Sequence, residues 1–213
     1  KHAKSFYWAS FFLSNDTFNK CSSLYNFCRT LDDIVDDDNK LEVKKKNFYK
    51  FKKEFENNDP DNQIIKDMWS IINSENISKK IIIDLFDGVE TDLEEKVEIN
   101  SKKDLLVYSY RVAGTVGLMM SKILKVNNKE SLKGAIDLGI AMQLTNIARD
   151  VCEDKKRKRR YIKSDFSSIK ETIYDSEIFY QKSFKSISSI TLRSRFSVIV
   201  ARRIYKKIGD YIL

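Results

Sequence analysis

Residues 24–36 read Leu-Tyr-Asn-Phe-Cys-Arg-Thr-Leu-Asp-Asp-Ile-Val-Asp, and this stretch decides the fold class. Its apolar residues recur every three or four positions, which is the period of an amphipathic α-helix. They are Leu24, Phe27, Leu31 and Val35. Asp32 and Asp36 lie four positions apart, so on one helix they share a face. The stretch therefore predicts a helix that carries a row of carboxylates beside a buried stripe.

The rest of the chain is also poor in residues that interrupt helices. Its 213 residues include one proline and six glycines. No clear run of alternating β-branched residues bounded by turns is present. Hydrophobic residues make up 42% of the chain, which argues against disorder, and the length allows a substantial core. We therefore predict an all-α fold with a single domain over residues 1–213.

Periodicity and capping residues place the predicted helices. They cover residues 6–13, 17–36, 40–56, 61–73, 78–95, 101–125, 130–154, 164–187 and 190–212. Ser14, Asn15 or Asp16 is expected to cap the second of them. Gly114 and Gly117 lie inside the 101–125 helix, where periodicity favours close helix packing over a kink that widens a cavity.

A second acidic row lies far along the chain. Asn146, Asp150 and Asp154 follow one another in steps of four. Like charges at this spacing destabilise a bare helix, so a cation is the natural reason to tolerate them. Two helices that turn such rows towards a shared cavity can hold Mg²⁺, which takes oxygen ligands and leaves positions for water or phosphate. We therefore predict a divalent-cation site between the two rows.

The composition argues against several other kinds of site. His2 is the only histidine, which opposes a Ser-His-Asp or histidine–metal catalyst. The three cysteines form no Cys-x-x-Cys pair, so neither a disulfide framework nor a zinc site is indicated. The longest apolar stretches are far too short to cross a bilayer, and no signal peptide is visible. A cytoplasmic location is therefore expected.

The net charge of +8 is unevenly distributed. Residues 150–213 hold 16 Lys and Arg against 8 Asp and Glu, whereas residues 1–149 hold 23 of each. The excess begins with the basic run, residues 155–160. A solvated loop and attraction to anionic lipid or a polyanionic substrate are both open. Because the run directly follows the second acidic row, no nucleic-acid partner is expected, whereas peripheral contact with a membrane stays open as a consequence of the basic excess.

Five segments together resemble the squalene and phytoene synthases, which are head-to-head prenyl transferases. The segments are residues 2–6, 28–36, 85–92, 108–117 and 143–154, and they occur in the family's order over nearly the whole chain. Residues 139–150 look most like bacterial phytoene synthases. The resemblance implies an all-α, class I isoprenoid-synthase-like fold around a central cavity, with the acidic rows facing each other near its mouth.

The resemblance implies a phytoene synthase that condenses two geranylgeranyl diphosphates through a cyclopropylcarbinyl diphosphate, with Mg²⁺ or Mn²⁺ as cofactor. The alternative within the family is a squalene or dehydrosqualene synthase acting on farnesyl diphosphate. Outside the family, a class I terpene cyclase also uses two acidic motifs. A non-catalytic basic helical protein that binds membrane or nucleic acid is the distant alternative, and the two acidic rows argue against it.

Individual roles follow from the same resemblance. The expected metal ligands are Asp32, Asp33, Asp36, Asn146, Asp150 and Asp154, with Asp33 turned about 100° away from its neighbour. The expected diphosphate contacts are Lys4, Ser5, Arg29, Gln143, Asn146 and Arg149. Tyr108 and Tyr205 are expected to face the diphosphate or cation region, and with Asp32, Asp36, Asp150 and Asp154 they form the expected catalytic set. The residues leave two alternatives open. Tyr108 could be a packed aromatic with a satisfied hydroxyl, and Arg29 could simply pair with Asp32 or Asp33.

The sequence also departs from the family. The segment between Tyr161 and Tyr205 is shorter than the family's, and Lys163 stands where a proline is common. Members continue into a basic tail beyond the position of Leu213, so we expect that such a tail is missing from this sequence.

Overall fold

The computed structural model describes residues 13–126 and 128–213, and within these ranges the chain forms nine α-helices. They are α1 (Asn15–Asp36), α2 (Leu41–Glu56), α3 (Gln63–Ser74), α4 (Lys79–Glu90), α5 (Lys102–Ser109), α6 (Thr115–Ile123), α7 (Lys129–Lys156), α8 (Phe166–Phe184) and α9 (Leu192–Ile212). The predicted all-α fold is therefore confirmed. The predicted first helix over residues 6–13 lies almost wholly outside the described residues.

Capping explains where several helices begin. The Ser14 side chain accepts a hydrogen bond from the Thr17 backbone N–H at 3.3 Å, so Ser14 is the N-cap of α1. Ser101 does the same for α5 through the Asp104 N–H. Asn128 and Asp165 cap α7 and α8 in the same manner.

The predicted helix over residues 101–125 is broken in the structure. A π turn, Tyr110–Gly114, separates α5 from α6. It lies between two glycines of other helices. A Cβ on Gly88 of α4 would come within 2.6 Å of the Arg111 Cβ, and one on Gly139 of α7 within 2.3 Å of the Ala113 carbonyl oxygen. The glycines therefore let both neighbouring helices approach the π turn at backbone distance.

A short parallel β-ladder was not predicted. Strand β1 (Val97–Glu98) pairs with β2 (Arg159–Arg160). The Val97 N–H donates to the Lys158 carbonyl, and the Ile99 N–H donates to the Arg160 carbonyl. Two residues per strand leave no periodic pattern in the sequence, but the ladder fixes the segment that follows α7.

Two buried clusters hold the helices together. The larger centres on Phe27, whose ring centroid lies 5.5–5.9 Å from those of Phe51, Phe55 and Phe86, the spacing of tilted and edge-to-face aromatic pairs. The predicted α1 stripe of Leu24, Phe27, Leu31 and Val35 is buried there throughout. The smaller cluster joins α5, α7 and the segment after β2 through Tyr108, Leu144 and Tyr161.

None of the described helices combines the length and the apolar character that a membrane span requires. The assignment of residues 1–213 to a single domain stays a prediction.

Candidate functional site

Ion pairs join the C-terminal end of α1 to the residues that follow α7, and this links the ends of the two acidic rows. Asp36 is the last residue of α1, and Arg157 and Arg159 follow directly after α7. Asp36 Oδ2 lies 2.6 Å from Arg157 Nη1, and Asp36 Oδ1 lies 2.7 Å from Arg159 Nη1. Helix C-termini carry partial negative charge, so carboxylates placed there are destabilised unless cations lie nearby.

In the first row, Asp33 and Asp32 have different surroundings. Asp33 pairs with Arg29 at 2.7 Å, with both side chains more than half exposed. The alternative in which Arg29 pairs with a neighbouring aspartate is therefore the arrangement seen in the structure. The side chain of Asp32 has no ion-pair partner within residues 13–126 and 128–213. Although solvent reaches Asp32, the enclosing protein and the neighbouring charge of Asp36 raise its pKa to about 7.

The second row also contains one paired and one unpaired carboxylate. Asp150 is held by Arg149, whose Nε and Nη2 donate to its two carboxylate oxygens at 2.7 and 2.5 Å. Among the described residues, the Asp154 side chain has neither an ion pair nor a hydrogen bond. Burial, followed by the charge of Asp150, raises the pKa of Asp154 to about 7. Within the described part of the chain, one carboxylate in each row is thus left without an ion-pair partner.

Asp36 behaves differently because its counter-charges are already present. Burial opposes its ionisation, but the hydrogen bonds and charges of Arg159 and Arg157 outweigh burial and hold the pKa of Asp36 below its usual value. Arg159 is the more deeply placed of the two, with 8% of its side chain exposed. It also donates to the Val35 backbone carbonyl at 2.9 Å.

A third acidic group, Asp92, lies between the two rows. Tyr161 donates to Asp92 Oδ1 at 2.5 Å, and Tyr108 donates to Asp92 Oδ2 at 2.9 Å. The two tyrosine rings stack at 4.7 Å. Burial raises the pKa of Asp92, against the opposing charge of Arg159. Asp92 also acts electrostatically on Asp32 and Asp154, so it couples the two rows.

Sequence reasoning missed Asp92, Tyr161, Arg157 and Arg159. Asp92 and the two tyrosines carry no helical spacing relative to either acidic row, although Asp92 closes one of the segments that resemble the family. The two arginines belong to the basic run. That run is not simply a solvated loop, because Arg157 and Arg159 pair with Asp36 and Arg160 pairs with Glu98.

The remaining predicted residues have the following positions. Tyr108 lies beside the acidic groups, and its hydroxyl is satisfied by Asp92, which was the alternative left open. Tyr205 is half-buried, and the charges of Arg149 and Asp150 act on it. Gln143 is half-buried on α7, one turn before Asn146. Lys4 and Ser5 lie outside the described residues.

The donor set fits a divalent cation. The Asn146 Oδ1 atom is buried and has no hydrogen-bond partner among the described residues. Asp32 and Asp154 are unpaired and repelled by neighbouring carboxylates, so a cation between the rows relieves both. In the described part of the chain, no three Asp, Glu, His or Cys side chains surround a single point. Mg²⁺ suits this arrangement, because it uses one or two carboxylates and completes its shell with water and phosphate.

Both helices change from charged to apolar along the face that carries the acidic row. On α1 the face continues from Asp32 to Cys28 and Cys21, and Cys21 Sγ lies 3.3 Å from Met120 Sδ of α6. On α7 it continues from Asn146 and Gln143 to Ile136. The side chains of Val112, Val116, Met120 and Ile136 are half-buried, and we expect them to line the cavity. Such an arrangement suits a ligand with a charged head and an apolar tail.

Comparison with known proteins agrees with the site. The family description Squalene/phytoene synthase matches residues 1–166. The 15-cis-phytoene synthase of Pantoea ananas is 27% identical, and the aligned region covers 97% of this chain and 77% of that protein. The chloroplastic phytoene synthase 2 of Solanum lycopersicum is 29% identical, with 100% of this chain and 78% of that protein covered. Similar relatives thus include both bacterial and plant enzymes.

Solved structures show the same fold. A dehydrosqualene synthase superposes with a TM-score of 0.79 at 28% identity, covering 96% of this chain and 79% of that one. A squalene synthase from Alicyclobacillus acidocaldarius has a TM-score of 0.75 at 15% identity, covering 96% and 86%, and supports the fold alone. The alignment to the Pantoea ananas enzyme spans 246 positions, more than the 213 residues of this chain, so that relative has insertions which this chain lacks. With the family description matched over three quarters of its length, the chain belongs to the squalene/phytoene synthase family of prenyltransferases.

Proposed function

We propose that this protein joins two molecules of geranylgeranyl diphosphate head to head to give phytoene, with release of diphosphate. The observation that carries the proposal is the pair of unpaired carboxylates, Asp32 and Asp154, at the charged ends of two helices whose same faces become apolar. A prenyl diphosphate has this division of a charged head from an apolar chain. The phytoene synthases among the similar proteins supply the choice of product.

The two acidic rows would hold the cofactor. Asp32 and Asp36 would contribute from α1, and Asn146, Asp150 and Asp154 from α7, with Asp33 held away by Arg29. Mg²⁺ or Mn²⁺, when bound, supplies positive charge that stabilises the departing diphosphate. In this assignment the bound cation offsets the electrostatic repulsion between the unpaired carboxylates and their neighbours.

The chain's own residues have three tasks in this proposal. Arg29 and Arg149, at present paired with Asp33 and Asp150, are guanidinium donors for the diphosphate oxygens. Asp92 fixes the hydroxyls of Tyr108 and Tyr161 beside the acidic rows. The apolar faces of α6 and α7 exclude water from the allylic cation that forms when the carbon–oxygen bond breaks, and from the cyclopropylcarbinyl diphosphate that follows.

The direct test is incubation of the purified protein with geranylgeranyl diphosphate, with and without Mg²⁺, followed by analysis of the organic extract and of released diphosphate. A C40 hydrocarbon that forms only with the metal is expected. Asp32→Asn and Asp150→Asn should each reduce the rate by about 100-fold or more, because each replaces a carboxylate by a neutral amide and so weakens the hold on the cation that stabilises the developing charge. Asp37→Asn is the matched control, since Asp37 is exposed at the end of α1 and outside the proposed site. Wild-type rates in both site variants would contradict the assignment.

One observation favours a second candidate. The dehydrosqualene synthase is the solved structure that combines a TM-score of 0.79 with 28% identity. The alternative reaction would join two farnesyl diphosphates to a C30 product in the same site. Parallel incubations with farnesyl and geranylgeranyl diphosphate distinguish the two, because the products differ by ten carbons.

Peripheral membrane contact remains part of the proposal, because the hydrocarbon product and the prenyl chains are lipids. The basic C-terminal third supports attraction to anionic headgroups. Binding to vesicles that contain anionic lipid should be released by high salt, since salt screens exposed charges. Retention at high salt would contradict a purely electrostatic contact.

A further inference from the structure

The two arginines on Asp36 are held in unequal ways. Arg159 has 8% of its side chain exposed and also donates to the Val35 carbonyl, so it is fixed between α1 and β2. Arg157 has 37% of its side chain exposed, and its other ion-pair partner is Glu153 at 3.5 Å. Among the described residues no backbone carbonyl accepts a hydrogen bond from its guanidinium. Arg157 is therefore the arginine that can leave Asp36 at low cost.

Arg157 also occupies the oxygen that a cation would need. Its Nη1 lies 2.6 Å from Asp36 Oδ2, while Arg159 takes Oδ1. A guanidinium at this distance competes with a metal ion for Oδ2, because two positive charges at one oxygen atom repel each other. The two unpaired carboxylates, Asp32 and Asp154, have no such competitor among the described residues.

We propose that Arg157 is an exchangeable counter-ion: it neutralises Asp36 in the free protein, gives up that carboxylate when the cation binds, and then contacts the diphosphate. A guanidinium suits the second position because its N–H groups match two phosphate oxygens. Arg157 follows α7 directly, so after release its side chain stays at the mouth where the proposed diphosphate lies. The inference rests on the proposed function and adds a substrate-binding residue to it.

The inference predicts effects of opposite sign on two ligands. Titration calorimetry with Mn²⁺ alone should show that Arg157→Asn binds the ion about three- to fivefold more tightly, the range expected for loss of a partly exposed competing ion pair. Inorganic diphosphate, titrated at saturating Mn²⁺, should bind the same variant about tenfold more weakly, because a charged hydrogen-bond donor has been lost.

Arg160→Asn is the matched control. Arg160 belongs to the same basic run and is as exposed as Arg157, at 38% against 37%, but it pairs with Glu98 and donates to Asn100 on the β1 side. Both affinities should stay within about twofold of the unchanged protein in this control, apart from a small general charge effect.

Three results would overturn the inference. If Arg157→Asn bound both Mn²⁺ and diphosphate more weakly, Arg157 would only support the structure. If neither affinity changed, Arg157 would have no role in binding. Failure of the unchanged protein to bind Mn²⁺ would overturn the proposed function as well. Binding by the unchanged protein without any effect of Arg157→Asn would leave the proposed function intact and remove only this residue from it.

Discussion

Among single residues, Asp32 and Asp154 have surroundings that disfavour a negative charge. Both carboxyl groups have a pKa of about 7, because enclosure by the protein and neighbouring carboxylates oppose ionisation. The unfolded chain lacks these neighbours, so its aspartates titrate near pH 4. The folded protein therefore binds more protons than the unfolded chain between about pH 4 and pH 7, and its stability falls as the pH rises through that window.

Replacing Asp32 should remove part of this pH dependence. In the absence of metal, Asp32→Asn is expected to unfold at a higher denaturant concentration than the unchanged protein at pH 8, with a gain of roughly 0.5–1 kcal/mol after allowance for solvent exposure. At pH 5 the gain should be much smaller, because Asp32 is then protonated in the folded protein, and it should vanish below about pH 4, where the unfolded chain is protonated as well. Urea unfolding in EDTA at both pH values measures the effect.

Asp33→Asn is the matched control for that experiment. Asp33 is the next residue, but its carboxylate is exposed and paired with Arg29 at 2.7 Å. Its replacement should leave the pH dependence unchanged and lower stability slightly through loss of the ion pair. Equal pH slopes for Asp32→Asn and the unchanged protein would show that Asp32 carries no unfavourable charge.

Lys158 offers a second residue-level prediction, because its backbone has φ = 59°, in the left-handed region. That conformation costs a side chain about 1 kcal/mol or more, whereas glycine adopts it freely. Lys158→Gly should therefore raise the free energy of unfolding by roughly 0.5–1 kcal/mol, or about 1–4 °C in melting temperature. Lys155→Gly, inside α7, should lower it by a similar amount. A loss of stability in both variants would contradict the assignment of strain to Lys158.

Residue-level prediction rests on spacing, and the roles of the predicted site residues stay predictions. The steps of four group Asp32 and Asp36 in one row and Asn146, Asp150 and Asp154 in another, and in the structure Asp36 forms ion pairs with two arginines that follow the second row. Asp92 was missed because a buried carboxylate that accepts from two tyrosines leaves no periodic trace. The roles of Arg157 and Arg159 depend on the β-ladder, because pairing of β2 with β1 fixes the segment that carries them. Local sequence does not reveal this pairing.

At the level of elements, helix positions were predicted well and the interruption inside one of them was not. Most predicted ends lie within a few residues of the observed ones, because capping residues and apolar periodicity mark them locally. The π turn Tyr110–Gly114 widens one helical turn without breaking the helical backbone, so no capping or loop residue marks it in the sequence. Its position is set by contact with α4 and α7, which is tertiary information.

The contact between the π turn and α7 gives an element-level prediction. A Cβ on Gly139 would lie 2.3 Å from the Ala113 carbonyl oxygen and 2.7 Å from its carbon, and both atoms belong to backbone. Gly139→Ala should therefore push α7 away from the π turn and lower the free energy of unfolding by about 1–3 kcal/mol. Thermal or urea unfolding measures the loss.

Gly209→Ala, in α9, is the matched control for the same substitution. A Cβ there meets only the Ile173 side chain, at 3.6 Å, which is ordinary contact. This variant should gain up to about 1 kcal/mol, because alanine favours the helix over glycine. If Gly139→Ala were as stable as Gly209→Ala, the close approach between the π turn and α7 would be wrong.

Across the whole molecule, the site depends on two helices that are far apart in sequence. The first acidic row closes α1 and the second closes α7, and the described ion pairs that join them run through Asp36. Negative charge from two helix ends, two rows and Asp92 is thus only partly neutralised by arginines. A bound cation with its diphosphate would complete the neutralisation and tie α1 to α7.

This coupling predicts that ligand binding stabilises the fold in a pH-dependent way. Mg²⁺ with inorganic diphosphate at about 100 times the Kd should add roughly 2.7 kcal/mol, which for a chain of this size is about 5–10 °C in melting temperature. The shift should be larger at pH 8 than at pH 6, because at pH 6 protons compete for Asp32 and Asp154, whose pKa values are about 7.

The variant Asp154→Asn separates this coupling from non-specific stabilisation by salt. It should lose most of the ligand-induced shift at both pH values, since one of the two unpaired carboxylates is gone, whereas Asp37→Asn should keep it. Differential scanning fluorimetry at matched ionic strength measures all three proteins. A shift that is equal at pH 6 and pH 8, or equal in Asp154→Asn, would mean that the ligand binds elsewhere on the molecule, and the acidic rows would then lose their place in the proposed function.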